Sequence, residues 1–332
     1  MIEPGSGRVT VVVPTRNRRV LLAETLASIL GQRDVDVHVV VVDEASTDGT
    51  AGWLADLVDD RVAVLTHDRP QGAAAARNAG AGLADTEWLA FCDDDDLWAP
   101  DKLRAQLDAV GAEPGARWAV GGSVSVDDDL HVIGHQRPPA GGDVLRHLEA
   151  HNVVPAGASN VLIETALFRE VGGFDTSFTY CEDFECWIRL AQRAPLAVVD
   201  RPIVAYRVAG QNRSNAVVEM RAMHDAALER HRRSVSDAEA RAGDLVFAQY
   251  LARFPLRQGR RVAAARSYLD VALRFRLPSH VVHAGLALVA PRWAEQRRAV
   301  AEREHVPAAW RAAADAWLDP LRGVDAPARV AS

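Results

Sequence analysis

Apolar residues fall along this chain in two alternating rhythms. Residues 9–13 (VTVVV) form an unbroken, mostly β-branched run, the pattern of a strand buried on both faces. A turn over 14–18 follows, then a helical pattern over 20–30 that stops at Gly31. The cycle repeats with a strand over 35–42 and a helix reaching about residue 58, with Ser46 or Thr47 as its cap. A strand over 61–65, an alanine-rich helix from Gln71-Gly72 to 80–82 and a strand over 87–92 complete the run. Such alternation predicts an α/β fold, a doubly wound and mostly parallel sheet with helices on both faces. Ligands of these sheets sit at the carboxyl ends of the strands. The polar clusters of this chain fall there: Thr15 to Arg18, Asp43 with Glu44, and Asp93 to Asp96.

Residues 117–215 are mixed. They predict a hairpin of 118–126 with 130–136 around the acidic turn 127–129, a short helix over 143–150, a strand over 159–163 and an amphipathic helix over 182–193. From Ala216 the composition turns to Ala/Arg-rich helix with breaks near Pro255, Pro278, Pro291 and Pro307, and 323–332 reads as a frayed tail. The chain thus divides into residues 1–215 and a C-terminal helical region, 216–332.

Charge narrows the function. A net charge of −7 argues against a nucleic-acid binder, whose phosphate contacts need a basic surface. Residues 251–300 nevertheless hold ten Arg against only Asp270 and Glu295. That segment is either a solvated helical surface or a contact for anionic lipid or a phosphorylated acceptor. Three cysteines are too few for a disulfide framework and fit a reducing compartment. The start MIEPGSGR lacks the basic and apolar regions of a signal peptide. The longest apolar stretch, 281–290, is short of the roughly 20 residues that span a bilayer. The expected location is cytoplasmic, at most peripheral at the inner face of the membrane.

Four consecutive aspartates at a strand end repel one another unless solvated or neutralised by a cation. A hard divalent ion with oxygen ligands answers that, although an acidic loop preceding the helix after Pro100 would look the same. Asp43 could accept a hydrogen bond from a nucleobase imide or a ribose, or be a helix-start residue. Glu182 and Asp183 open an amphipathic helix, where a carboxylate serves the dipole or acts as a general base. Arg77, on a helix of small residues, could reach an anionic ligand or form a surface ion pair. The turn after strand one, Pro14-Thr15-Arg16-Asn17-Arg18, is not G-x-G-x-x-G, and no P-loop occurs.

Taken together, VVVPTRNR (11–18), VVVDEASTDGT (40–50), GAAAARNAG (72–80), FCDDDDLWAPDKL (91–103), VGGFDTSF (171–178) and CEDFECWIRLA (181–191) resemble family 2 glycosyltransferases of GT-A fold. The resemblance covers roughly residues 8 to 215. It implies a catalytic domain over 1–215, with nucleotide-sugar binding in 1–100 and acceptor binding in 101–215. Pro14, Thr15, Arg16, Asn17 and Arg18 would line the nucleoside pocket, with Asp43 on the base, Glu44 near the ribose, Arg77 near the diphosphate and Asp94 among the donor contacts. Asp93 and Asp95 match the family's D-x-D, which holds Mg²⁺ or Mn²⁺, with Asp96 close behind. Asp183 matches the catalytic base of an inverting transfer from a nucleoside-diphosphate sugar, uridine-based by analogy, to a glycan, lipid-linked or small-molecule acceptor. Asn160, Tyr180 and Glu182 are the expected acceptor contacts, while Trp187 and Arg189 belong to a packing helix.

Two departures stand out. Glu44 occupies a position that is acidic in many relatives but longer here. Tyr206-Arg207-Val208-Ala209 lacks the histidine that often ends this motif, leaving Arg207, Asn212 or Arg213 as substitutes. The competing readings are a nucleotidyltransferase making nucleotide sugars and a non-catalytic sugar-nucleotide binder. The turn after strand one disfavours the first; the joint presence of Asp93, Asp95 and Asp183 disfavours the second.

Overall fold

The computed structural model describes residues 7–140, 143–208 and 217–322. Its strands are β1 (Arg8–Thr15), β2 (Asp36–Asp43), β3 (Val62–Thr66), β4 (Trp88–Phe91), β5 (Leu97–Trp98), β6 (Trp118–Val126), β7 (Val132–Gln136), β8 (Leu162–Glu164) and β9 (Leu196–Arg207). The helices of the first two thirds are α1 (Arg19–Leu30), α2 (Thr50–Ala55), α3 (Ala73–Gly82), α4 (Lys102–Ala112), α5 (Val144–Leu148), α6 (Thr165–Glu170) and α7 (Glu182–Ala191). Those that follow are α8 (Val217–His231), α9 (Asp237–Arg257), α10 (Arg261–Phe275), α11 (Ser279–Val289), α12 (Pro291–Glu304) and α13 (Ala308–Leu318).

The strands form one sheet in the order β3-β2-β1-β4-β8-β6-β9-β5, with β7 beside β6. β1 runs parallel to β2 and β4, β2 to β3, and β6 to β9. β8 is antiparallel to both neighbours, and β5 is antiparallel to β9. The sheet is therefore mixed and mostly parallel. Successive side chains of a strand point to opposite faces, and here each face has its own core. Val12, Val40, Val42 and Phe91 meet α3 and α7 on one side, while Val11, Val13, Val39 and Val41 meet α1, α2 and α4 on the other.

Several expectations shift. The predicted strand over 159–163 is a 3-10 turn, Gly157–Asn160, followed by β8. Neither Ser46 nor Thr47 caps α2, which starts after Gly49, because both are drawn to Asn17: Ser46 Oγ accepts from its N–H at 2.9 Å, and the Thr47 N–H donates to its Oδ1 at 2.7 Å. β9 went unpredicted because Asp200-Arg201-Pro202 interrupts its apolar run. The break expected near Pro255 comes just after it, since α9 runs on to Arg257 with Pro255 inside.

The C-terminal region is helical and is built in two parts. Helices α9, α10 and α11 share a small core around Ala252, Ala264, Tyr268, Val271 and Ala287. Helix α13 instead returns to the sheet, where Trp310, Ala314 and Leu318 pack with Leu97, Val124, Val126 and Ala205. Gly122 of β6 makes this approach possible, since a β-carbon there would stand 2.2 Å from the Trp310 ring. Among the described residues no helix is long and apolar enough to cross a membrane. The tail 323–332 lies outside the described residues.

Candidate active site

Thr15, Asp43 and Thr66 are register partners, so β1, β2 and β3 end level with one another. Past that edge the chain makes three polar loops that hold one another in place. Asn17, at φ 56°, joins the first loop to Ser46 and Thr47 of the second. Thr15 Oγ1 donates to Asp94 Oδ2 at 2.7 Å, joining the first loop to the aspartate run. Arg18 Nη1 reaches Asp94 Oδ1 at 2.9 Å and Asp95 Oδ2 at 2.6 Å. Pro14 is half-buried at the end of β1, and the Arg16 side chain is exposed.

Asp43 is 1% exposed. Its Oδ1 accepts from the Ser46 N–H at 3.1 Å, whereas Oδ2 is buried with no partner among the described residues. A buried carboxylate oxygen left unpaired is costly, and a ligand N–H or O–H would satisfy it. Glu44 is placed differently from the expected ribose contact. One oxygen meets His67 Nδ1, and the other accepts from the N–H groups of Gln71 and Gly72, both at 2.7 Å. Glu44 thus ties down the loop that leads into α3.

The four aspartates divide into different roles. The Asp93 side chain is 35% exposed and faces Arg77 Nη2 at 2.5 Å. Burial, with repulsion from Asp93 and Asp94, pushes the Asp95 carboxyl up to about 6 against the pull of Arg18. Burial likewise raises Asp94. Asp93 and Asp95 are an all-oxygen donor set crowded with like charge, which fits a hard divalent cation. Asp96 does not join them. It is 0% exposed, and its oxygens accept from Ser159 Oγ at 2.5 Å and the Arg207 N–H at 3.0 Å. In place of the expected metal contact it anchors the run to the turn before β8 and to β9. Arg207 is equally committed, to Glu24 at 2.6 Å and the Asp95 carbonyl at 3.1 Å. The other two proposed substitutes, Asn212 and Arg213, lie outside the described residues.

Arg77 is buried rather than at the surface. Its Nη1 reaches Glu182 Oε1 at 2.8 Å while Nη2 holds Asp93, so one guanidinium joins the aspartate run to the start of α7. The neighbouring Asn78 exchanges hydrogen bonds of 2.7 and 2.9 Å with the backbone of Phe174 and fixes the loop before α7. Asp183 is half-buried, and its Oδ1 accepts from the Phe184 N–H at 2.7 Å. Burial and the adjacent Glu182 raise its carboxyl to about 6, although Arg77 opposes them. A carboxylate in that range has the basicity a general base needs near neutral pH. Tyr180 is half-buried just before Cys181, which begins α7 in the left-handed region. Trp187 packs on Trp118 with ring centroids 6.4 Å apart, and Arg189 pairs with Glu185.

Asn160 is absent from the cleft. It is 0% exposed and spends its amide on the Gly121 N–H and carbonyl and on the Pro155 carbonyl. Its neighbour Ser159, which no sequence pattern marked, supports the site: its Oγ accepts from the Asp93 N–H at 3.0 Å as well as donating to Asp96. Elsewhere, Asp127, Asp129 and His131 bring ligand atoms within 4.8 Å of one another on the turn between β6 and β7.

Comparison with known proteins places the matched residues and the fold among glycosyltransferases. Residues 10–172 match the model described as Glycosyl transferase family 2. A succinoglycan biosynthesis protein, ExoO, of Rhizobium meliloti is 42% identical over 108 residues, 32% of this chain and 31% of the relative. The Escherichia coli protein named UDP-Glc:alpha-D-GlcNAc-diphosphoundecaprenol beta-1,3-glucosyltransferase WfgD is 31% identical over 99 residues, 30% of this chain and 39% of its own. The matches span less than two thirds of the length of such relatives. Among solved structures, the mannosyltransferase PcManGT of Pyrobaculum calidifontis, in complex with GDP-Man and Mn²⁺, superposes with a TM-score of 0.54 at 23% identity, covering 90% of this chain and 86% of that one. S. aureus TarS 1-349 in complex with UDP gives 0.50 at 17% identity, with 89% of each chain covered. Residues 10–172 thus carry a glycosyltransferase family 2 domain, in a chain of GT-A fold.

Proposed function

We propose that this protein is an inverting glycosyltransferase that moves a sugar from a nucleoside-diphosphate donor, a UDP-sugar by preference, to an acceptor hydroxyl. The observation that carries the proposal is the double ion pair of Arg77, which sets Asp93 and the start of α7 against one another. Asp183, at that helix start, takes the acceptor hydroxyl proton. The acceptor oxygen then bonds to the anomeric carbon as the bond to the diphosphate breaks, and the nucleoside diphosphate leaves with the electron pair. A single displacement of this kind inverts the anomeric centre.

Asp93 and Asp95 are the residues that would hold Mg²⁺ or Mn²⁺, which when bound supplies positive charge for the departing diphosphate. The unpaired Asp43 Oδ2 supports a base N–H contact, with the turn from Pro14 to Arg18 forming the rest of the nucleoside pocket. Asp94, held by Thr15 and Arg18, orders that turn. Tyr180 and Glu182 remain as acceptor-side contacts. The acceptor is proposed to be a lipid-linked glycan, in line with the diphosphoundecaprenol substrate in the name of the Escherichia coli relative. The protein would act in the cytoplasm, at the inner membrane face.

The test is release of nucleoside diphosphate from a panel of UDP-, dTDP- and GDP-sugars with Mn²⁺, beside the Asp95→Ala variant. Metal-dependent release from one donor, abolished in the variant, is the expected result. No release and no metal-dependent binding of a nucleoside diphosphate would refute the proposal. Release of pyrophosphate from a nucleoside triphosphate would instead favour a nucleotidyltransferase.

A further inference from the structure

Helix α10 buries only one side. Ala264, Ala265, Tyr268, Val271 and Ala272 face α9 and α11, as a 3.6-residue period requires of a packed helix. The opposite side brings Val262, Arg266, Leu269 and Leu273 onto a single stripe, and its apolar members are 56%, 40% and 78% exposed. Arg260 and Arg261 stand exposed at the start of the helix. Together with Arg266 they line an open groove of about 680 Å³ against Val217 and Val218 of α8. None of these three arginines makes an ion pair among the described residues. Asp270 is the helix's one acid, and it lies 3.6 Å from Arg274. Helix α11, packed on α10, has no Asp, Glu, Lys or Arg and leaves Val281, Val282, Leu288 and Val289 exposed.

Exposed leucine and valine at this density mark a contact surface rather than a solvated face. Arginines interleaved with those apolar side chains select the partner. Guanidinium groups pair with phosphate oxygens while the apolar stripe enters the acyl boundary, the arrangement of a helix lying in a membrane interface. We propose that the outer face of α10 docks on an anionic phospholipid surface, with the Arg260–Arg261–Arg266 groove receiving lipid phosphate. This deepens the proposed function and rests on it in one respect: docking would hold the cleft at the surface where a lipid-linked acceptor lies.

The test is co-sedimentation of the full chain with vesicles of phosphatidylcholine alone and of phosphatidylcholine mixed with phosphatidylglycerol, at low and high salt. Binding to the mixed vesicles only, weakened by salt, is expected. Replacing Arg260, Arg261 and Arg266 together by Gln should lower the partition coefficient roughly a hundredfold. Leu269→Ser with Leu273→Ser should lower it about tenfold or more. These side chains are exposed, so thermal melting should not move. Absence of binding, equal binding to neutral vesicles, or full binding by the variants would overturn the inference. So would a dimer in sedimentation velocity that the leucine variants dissociate, since the stripe would then be covered by a second copy. Donor hydrolysis in solution is read in parallel. Hydrolysis without vesicle binding sinks the docking inference alone, and vesicle binding without hydrolysis sinks the catalytic reading alone.

Discussion

Gly157 leaves the room in which the Asp183 carboxylate sits: a β-carbon on Gly157 would stand 2.8 Å from Asp183 Oδ2. The backbone there has φ +51°, a region costly to residues with a side chain. Gly157→Ala must therefore displace the carboxylate or the turn beneath it. Turnover at saturating donor should fall on the order of tenfold to a hundredfold, because small misplacements of a reacting group are expensive. The donor KM should stay unchanged. A drop in donor affinity with normal turnover would show that Gly157 does not serve the base.

The Asp183 carboxyl gives transfer an acid limb. With its pKa raised to about 6, the rate should decline as pH falls through that value. Asp183→Asn should lose about a hundredfold or more in transfer while still binding donor. Stability should move the other way. Between the ordinary carboxyl value of 3.8 and about 6 the folded chain keeps a proton that the unfolded chain has released. Folding is therefore penalised progressively as pH rises through that window, and the penalty is complete above it. The Asn variant should melt higher than the wild type at pH 7.5 and lose this advantage near pH 4. An unchanged melting difference across that range would contradict the assignment.

Ser159 should be felt through the metal. Its hydroxyl links Asp96 Oδ2 to the Asp93 N–H at the base of the aspartate run. Ser159→Ala leaves a buried carboxylate short of a donor, at about 1–3 kcal/mol in stability. It should also raise the Mn²⁺ concentration needed for half-maximal donor hydrolysis. A lower melting temperature with an unaltered metal titration would leave Ser159 purely structural.

Asn160 provides the contrasting case. Its amide makes three hydrogen bonds to backbone in the core. Asn160→Ala should destabilise the fold by about 2–3 kcal/mol, yet the folded fraction should keep its acceptor KM. A raised acceptor KM at full stability would restore it to the acceptor site.

Asn160 and Ser159 also show what a sequence leaves unsaid. The valine runs of β1 and β2 announce buried parallel strands because both faces of those strands are covered, and the polar loops at their ends follow from that. Asp43, Asp93 and Asp95 are marked by the sequence because they follow buried strands. Asp183 instead opens an amphipathic helix, where the residues alone leave a dipole role and a general base open, and only the family resemblance points to the base. Ser159 and Asn160 read as the start of a strand but lie in a 3-10 turn, and the partners of Asn160 and Ser159, Gly121 and Asp96, are 39 and 63 residues away. Arg77 is similar. Its helix is readable, but its depth depends on Glu182, which lies 105 residues further on. Long-range hydrogen bonding has no local signature, so the sequence does not separate a residue that supports the site from one that lines it, as at Asn160 and Asp96.

The return of α13 to the sheet has a consequence for how the protein is made. Leu97, Val124, Val126 and Ala205 are all synthesised roughly a hundred residues or more before Trp310, Ala314 and Leu318, which cover them. While the intervening residues are being made the nascent chain carries an uncovered apolar sheet surface, the kind of patch that holdase chaperones bind. Shortening the chain before Ala308 would make that exposure permanent. Such truncations should accumulate as aggregate instead of yielding a smaller catalytic unit.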